Sequence, residues 1–216
     1  MADGTEGYEM DDDDGEIEAS EQPETDEDED EVWVSFFDPS RIAGALAASS
    51  DGLRVEDSAA RSAAAVAAYV LVEIADAANN AAVSDQKRVI QPKHINAAIT
   101  IDDELNRLGA TWLIRSDTQR PAAAAGSAEA ETQLSVSRLL RGADRFAGTG
   151  ISLSSQSLTV LGDIAADVVR RLAQAAARAA SDAGRDSITG DDIATALKAT
   201  LTGELLKSAS MEASKA

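Results

Sequence analysis

The chain has no cysteine among its 216 residues, a single histidine, and aromatic side chains at only 3% of positions. Without thiols there is no disulfide framework, no thiolate metal site and no cysteine nucleophile. With so few aromatic rings the core must be built from aliphatic and alanine side chains, a composition that suits close packing of helices. No apolar stretch approaches the roughly 20 residues that span a bilayer, and no basic start followed by an apolar run reads as a secretion signal. The expectation is a soluble, intracellular protein with no membrane partner. A glycine-rich phosphate loop is also missing, as is any metal-ligand cluster at usable spacing, and acids such as Asp11 to Asp14 sit in too flexible a context to preorganise a metal. The chain therefore reads as no enzyme, with no cofactor and no metal.

Positive charge is missing from the first 31 residues, which hold 17 acidic side chains and neither Lys nor Arg. That run concentrates the net charge of −20, because the remainder holds 22 acids against 19 bases and is nearly neutral at −3. A segment so charged and so poor in apolar residues cannot bury enough surface to fold, so residues 1–36 read as a disordered acidic tail. It either keeps the protein soluble or covers a basic surface. At its end, Trp33, Phe36 and Phe37 place large apolar groups directly after the acids.

What the chain does have is an internal repeat at a constant offset of 98 residues. Val66, Val70, Ile74, Ala77, Ala78 and Ala81 recur as Ile164, Val168, Leu172, Ala175, Ala176 and Ala179. Each set lies on one stripe of a long amphipathic helix. The register continues beyond it, pairing Lys87 with Arg185, Ile90 with Ile188, Ile95 with Ile193, Ala98 with Ala196 and Ile99 with Leu197. Asp38-Pro39-Ser40 signals a first short helix, and Asp51-Gly52 ends it. A long helix follows over about Ser58 to Asp85, then an extended Arg88-Val89-Ile90 and a short helix from Pro92 to Ile99. The second unit repeats the plan with a short helix near Leu139, a break at Gly148-Thr149-Gly150, a long helix to about Ala183, and a short helix from Asp191 in which Thr189 and Asp192 have capping-box spacing. A short–long–short set buries little alone, whereas two interlocked sets bury both long helices. Periodicity by itself also fits an alanine-rich bundle of another kind.

The residues resemble the core histones. Ser40-Arg41-Ile42, Ala77-Ala78-Asn79-Asn80-Ala81-Ala82, Ile90-Gln91-Pro92-Lys93-His94-Ile95 and Asp102-Asp103-Glu104-Leu105-Asn106-Arg107-Leu108-Gly109 are similar to histone two-A. Thr149-Gly150-Ile151-Ser152, Ser187-Ile188-Thr189 and Gly203-Glu204-Leu205-Leu206-Lys207 are similar to histone two-B. The resemblance implies an all-α protein of tandem histone folds that form an intramolecular handshake dimer. Its parts would be the tail (1–36), a two-A-like fold with a docking segment (37–115), a linker (116–133) and a two-B-like fold with a C-terminal helix (134–216). Fused pairs of this kind occur in large DNA viruses, which implies a nuclear setting or a viral factory and virion.

In that family, paired loops and helix starts grip phosphates and place arginines in the minor groove. The matching positions are Arg41, Arg54, Lys87, Arg88 and Arg185, with Lys93, Ser152, Ser187 and Thr189 as secondary contacts. Alanine at Arg54 or Arg185, in loops beside the apolar stripes, is expected to weaken assembly on DNA without unfolding the protein. The first short helix departs from the family by carrying Ala43, Gly44, Ala45 and Ala47 where cations are usual, so binding to double-stranded DNA is expected to be weak and salt-sensitive. Glu73, Asp76, Asp102, Asp103, Glu104, Glu204 and Glu212 match an acidic patch that docks basic peptides, with one acid missing at Ala67. Thr111, Trp112, Leu113 and Ile114 match a partner-docking segment that pairs edge-on with a histone-four-like tail, or else packs on its own domain. The implied role is architectural: packaging DNA with histone-three/four-like partners. The alternatives are an acidic histone mimic or chaperone-like regulator and a histone-fold transcription-factor pair.

Overall fold

The computed structural model describes residues 37–50, 52–113, 136–141 and 152–216. The acidic tail with Trp33 and Phe36, Ile114, the linker at 116–133 and the Gly148-Thr149-Gly150 break lie outside the described residues.

Helix α1 (Pro39–Ala48) begins as its sequence dictates. The Asp38 carboxylate accepts from the Ser40 amide at 2.9 Å, and Pro39 occupies the first turn, where its missing N–H is no loss. Gly52, with a φ of 85°, turns the chain into strand β1 (Arg54–Val55) and the 28-residue helix α2 (Asp57–Ser84). Strand β2 (Val89–Ile90), helix α3 (Pro92–Ile101) and helix α4 (Asp103–Gly109) complete the first unit. The second unit runs from α5 (helical at 136–141) through β3 (Ser152–Leu153), α6 (Ser155–Asp182), β4 (Ser187–Ile188) and α7 (Gly190–Thr200) to α8 (Gly203–Lys215).

The 98-residue offset is obeyed to the residue: α2 and α6 start and stop 98 apart, as do β1 with β3 and β2 with β4. Even the turns after the long helices match. Gln86 and Gly184 both take positive φ, at 55° and 67°, and the next amides, of Lys87 and Arg185, reach back to the Ala82 and Ala180 carbonyls at 2.8 and 2.9 Å. These are left-handed caps that close the helix ends, and glycine enters them without the steric strain that Gln86 bears.

The two units clasp each other. Strand β1 pairs in parallel with β4 (Arg54 opposite Ser187, Val55 opposite Ile188), and β2 pairs in parallel with β3 (Val89 opposite Ser152, Ile90 opposite Leu153). Each unit thus lends its first loop to the other's second loop, and α2 and α6 cross between them, with α1 also against α6 and α7 also against α2. Val66, Val70 and Ile74 are fully buried, and their counterparts Ile164, Val168 and Leu172 are no more than 3% exposed. At about 25 cal/mol per Å² of apolar surface, such a stripe stabilises either helix only when the other covers it.

Helix α2 corrects one sequence expectation, because its length and mean hydropathy of 1.4 are those of a helix able to cross a membrane. Its surroundings supply the reason: α1, α3, α6, α7 and α8 all pack on it, so that 78% of its apolar stretch is buried inside the fold. Alanines at 59, 60, 63, 64, 65, 67 and 68 let these neighbours approach closely on every side. Helix α6, by contrast, keeps one buried stripe and a polar face.

Candidate nucleic-acid interface

The paired loops gather the predicted DNA contacts into two clusters at the two strand pairs. At the β1–β4 pair stand Arg54, Arg185, Ser187 and Thr189, each already engaged. The Arg54 guanidinium lies 3.1 Å from the Asp186 carboxylate, a pair mostly exposed on both sides. Arg185 donates through two nitrogens to the two oxygens of Asp192, at 2.6 and 2.5 Å, and the Asp192 side chain is only 2% exposed. Burial pushes the Asp192 carboxyl up, but the Arg185 bonds and those from the Thr189 amide and hydroxyl outweigh it and hold the group below its ordinary value. Thr189 and Asp192 also cap α7 reciprocally, as their spacing predicts. Ser187 donates to Glu56 at 3.2 Å.

Arg185 is therefore a structural residue as well as a candidate DNA contact. Its guanidinium is the counter-ion of a buried carboxylate, and losing it strands that charge.

The β2–β3 pair holds Lys87, Arg88, Lys93 and Ser152. Lys87 and Arg88 are exposed and have no ion-pair partner among the described residues. The Arg88 carbonyl accepts from the Ser152 amide at 3.0 Å, which fixes the loop carrying both cations against the start of α6. Lys93 is instead drawn to Asp85 at 2.5 Å, and the same carboxylate oxygen lies 3.2 Å from Nε2 of His94. The Lys93 bond, then the His94 bond, lowers the Asp85 pKa. His94 is 2% exposed, and its Nδ1 accepts from the Gln91 amide at 3.0 Å, so the ring serves as a helix cap.

Arg41 is exposed on α1 beside Asp38, and it adds to the Ser40 hydrogen bonds that lower the Asp38 pKa. The sequence reading missed Arg138 and Arg141, exposed cations on α5 opposite buried Val136, Leu139 and Leu140. Their spacing of three, flanking a Leu pair, was the signal: it places both on the solvent side of a short amphipathic helix.

On another face, Glu73, Asp76, Asp102, Glu104 and Glu204 line one concavity of about 210 Å³, with Tyr69, Ala77, Asn80, Leu105 and Leu205 as its remaining walls. Asp103 and Glu212, predicted with them, do not line it; Glu212 lies 3.7 Å from Lys215. Glu104 has a second task. Its oxygens accept from the amides of Glu204 and Leu205 at 3.0 and 2.7 Å, capping α8 across the two units. The cap requires Gly203, whose φ is 62° and whose added Cβ would sit 1.7 Å from Oε1 of Glu104. Gly203→Ala should displace that carboxylate, strain the turn and cost about 2 kcal/mol. Thermal melting and amide exchange over residues 203–215 check it; protection equal to the native chain would reject the cap.

Thr111 and Trp112 lie in a turn that follows α4. Trp112 folds back on the second unit, where Nε1 donates to Asp167 at 2.7 Å and Arg171 lies 5.5 Å from its ring centroid. Arg171 also reaches the Leu108 carbonyl at 3.0 Å and the Thr111 hydroxyl at 2.9 Å. Burial raises Asp167, but bonds from Trp112, Arg170 and Arg171 leave its pKa below the ordinary value. Trp112 thus packs within the chain, but on the second unit and not on the segment's own domain.

The short–long–short units, clasped through paired loops, define an all-α histone fold. The structure is similar to the crystal structure of the histone from Methanopyrus kandleri, with a TM-score of 0.54 at 15% identity over 78% of this chain and 97% of that one. In sequence the chain is similar to histone two-A of Encephalitozoon cuniculi, 38% identical over 74 residues, which cover 34% of this chain and 58% of that protein. It is also similar to a probable histone two-A of Oryza sativa subsp. indica, 39% identical over 85 residues, covering 39% of this chain and 63% of that protein. The chain thus spans about three-fifths of the length of the curated relatives it matches. No family profile matches it.

Proposed function

We propose that this chain is a histone doublet, a two-A-like and a two-B-like unit in one polypeptide, that packages double-stranded DNA as an architectural and non-catalytic protein. The observation that carries the reading is the clasp itself: each strand pair takes one loop from each unit, and the β2–β3 pair sets Lys87, Arg88 and Lys93 beside the starts of α3 and α6. The match to the Methanopyrus kandleri histone supports it, since 78% of the chain exceeds either unit alone. The chain pairs with histone-three/four-like proteins into nucleosome-like particles, and its acidic concavity receives basic peptides. Work in a nucleus, or in a viral factory and virion, follows from that role.

A second reading, an acidic histone mimic or chaperone-like regulator, is favoured by one observation: Arg54, Lys93 and Arg185 are all paired with carboxylates. The transcription-factor pair is disfavoured by α8, which closes the acidic concavity. Reconstitution of the full chain with histone-three/four partners and a DNA fragment, followed by nuclease digestion, separates these readings. Protection of a discrete DNA length is the expected outcome. Stripping of DNA from the partners would select the regulator.

A further inference from the structure

Resting on the DNA-packaging reading, we propose that this protein grips the DNA backbone at one of its two loop pairs, the β2–β3 end, and that the β1–β4 end is closed to phosphate by the protein's own carboxylates. The 98-residue repeat permits a like-for-like comparison of the two ends. Around β2–β3, residues 84–94 and 152–159 carry Lys87, Arg88 and Lys93 against the single carboxylate Asp85. Around β1–β4, residues 54–61 and 182–192 carry Arg54, Arg61 and Arg185 against Glu56, Asp57, Asp182, Asp186, Asp191 and Asp192. One end is net positive and the other net negative, although the backbone is the same.

The difference is also structural. Every cation of the β1–β4 end is held by an acid: Arg54 by Asp186, Arg61 by Asp57, Arg185 by Asp192. Phosphate contact there would mean breaking an ion pair and bringing a phosphate next to the released carboxylate. At the β2–β3 end Lys93 is held by Asp85, but the exchange of two residues frees Lys87. The position equivalent to Arg185 is Lys87, and the position equivalent to its buried counter-ion Asp192 is His94, which is turned to Gln91 and Asp85 instead. Among the described residues, Lys87 therefore has no carboxylate paired with it, and neither has Arg88.

The helix starts repeat the asymmetry. The positive ends of α2 and α7, at the β1–β4 pair, carry Asp57, Asp191 and Asp192 in their first turns. Those of α6 and α3, at the β2–β3 pair, carry no acid there. Carboxylates in a first turn satisfy the helix dipole that would otherwise favour a phosphate.

The test is the affinity of the full chain for a fluorescein-labelled DNA duplex across a salt series, with melting curves as a folding control. Lys87→Ala with Arg88→Ala should weaken binding about tenfold or more near 0.1 M salt and lower the salt slope by about two. Arg54→Ala should change the affinity by less than about twofold. Asp186→Asn, which frees Arg54, should tighten binding several-fold and raise the slope by about one. Equal losses in the Arg54 variant and the double variant would overturn the one-ended grip while leaving DNA packaging intact. A folded wild type that binds no DNA at any salt would overturn both.

Discussion

Replacing Arg185 by alanine is expected to lower the melting temperature at pH 7 by about 5–10 °C. The cause is Asp192, whose carboxylate is only 2% exposed in the native chain and loses its bidentate partner in the variant. In the native chain its pKa is held below the ordinary 3.8. A carboxyl whose folded value lies below its unfolded value contributes stability in full above about pH 4, and loses that contribution as the pH falls through the folded value. Asp167 and Asp85 are lowered too, so acid unfolding of the native chain should set in below about pH 4. In the Arg185→Ala protein only burial and the Thr189 bonds still act on Asp192. The gap between variant and native chain should accordingly narrow as acid neutralises that carboxyl. Adding Asp192→Asn should recover part of the loss at pH 7, because it removes the stranded charge. A variant melting within 1 °C of the native chain at neutral pH would show that water, not the protein, had been carrying Asp192.

Deleting residues 1–31 is expected to tighten DNA binding by about tenfold or more at low salt. The deletion changes the net charge from −20 to −3 by removing 17 carboxylates and no cation. Joined to the chain ahead of α1, that polyanion competes with phosphate for Lys87, Arg88, Arg138 and Arg41 at a local concentration no free competitor reaches. Screening weakens both interactions, so the advantage of the truncated chain should shrink toward 0.3 M salt, where the Debye length falls to about 6 Å. Matching dissociation constants over the whole series would assign the acidic run to solubility alone.

Most of the fold was legible in the sequence because it rests on periodic and local signals. The stripe from Val66 to Ala81 and its copy 98 residues on placed the first long helix, and the end of the second, to within a residue. Asp38 and the Thr189–Asp192 box marked the starts of the short helices α1 and α7 through hydrogen bonds between near neighbours. The site was less legible. Arg54 and Asp186 are 132 residues apart, Glu104 and Leu205 are 101 apart, and Trp112 and Asp167 are 55 apart. No periodicity encodes such pairings. They arise only once two pairs of two-residue strands fix the register of the clasp, and those strands are too short to leave an alternating pattern. Sequence reading therefore found the cations but could not tell Lys87, which is free to act, from Arg185, which is committed to a buried acid.

That β1 meets β4 and β2 meets β3 within one chain also changes the kinetics of the protein. Two separate subunits associate by a second-order reaction and fall apart on dilution. Here Leu113 and Val136 bracket a covalent connection that keeps each unit near the other at an effective concentration on the order of millimolar. Pairing is then first order, its extent is indifferent to how much protein is present, and the lifetime of the pair is that of the folded state itself. The stoichiometry of the two units is written into the polypeptide, and neither can be exchanged for a competing partner without first unfolding the whole.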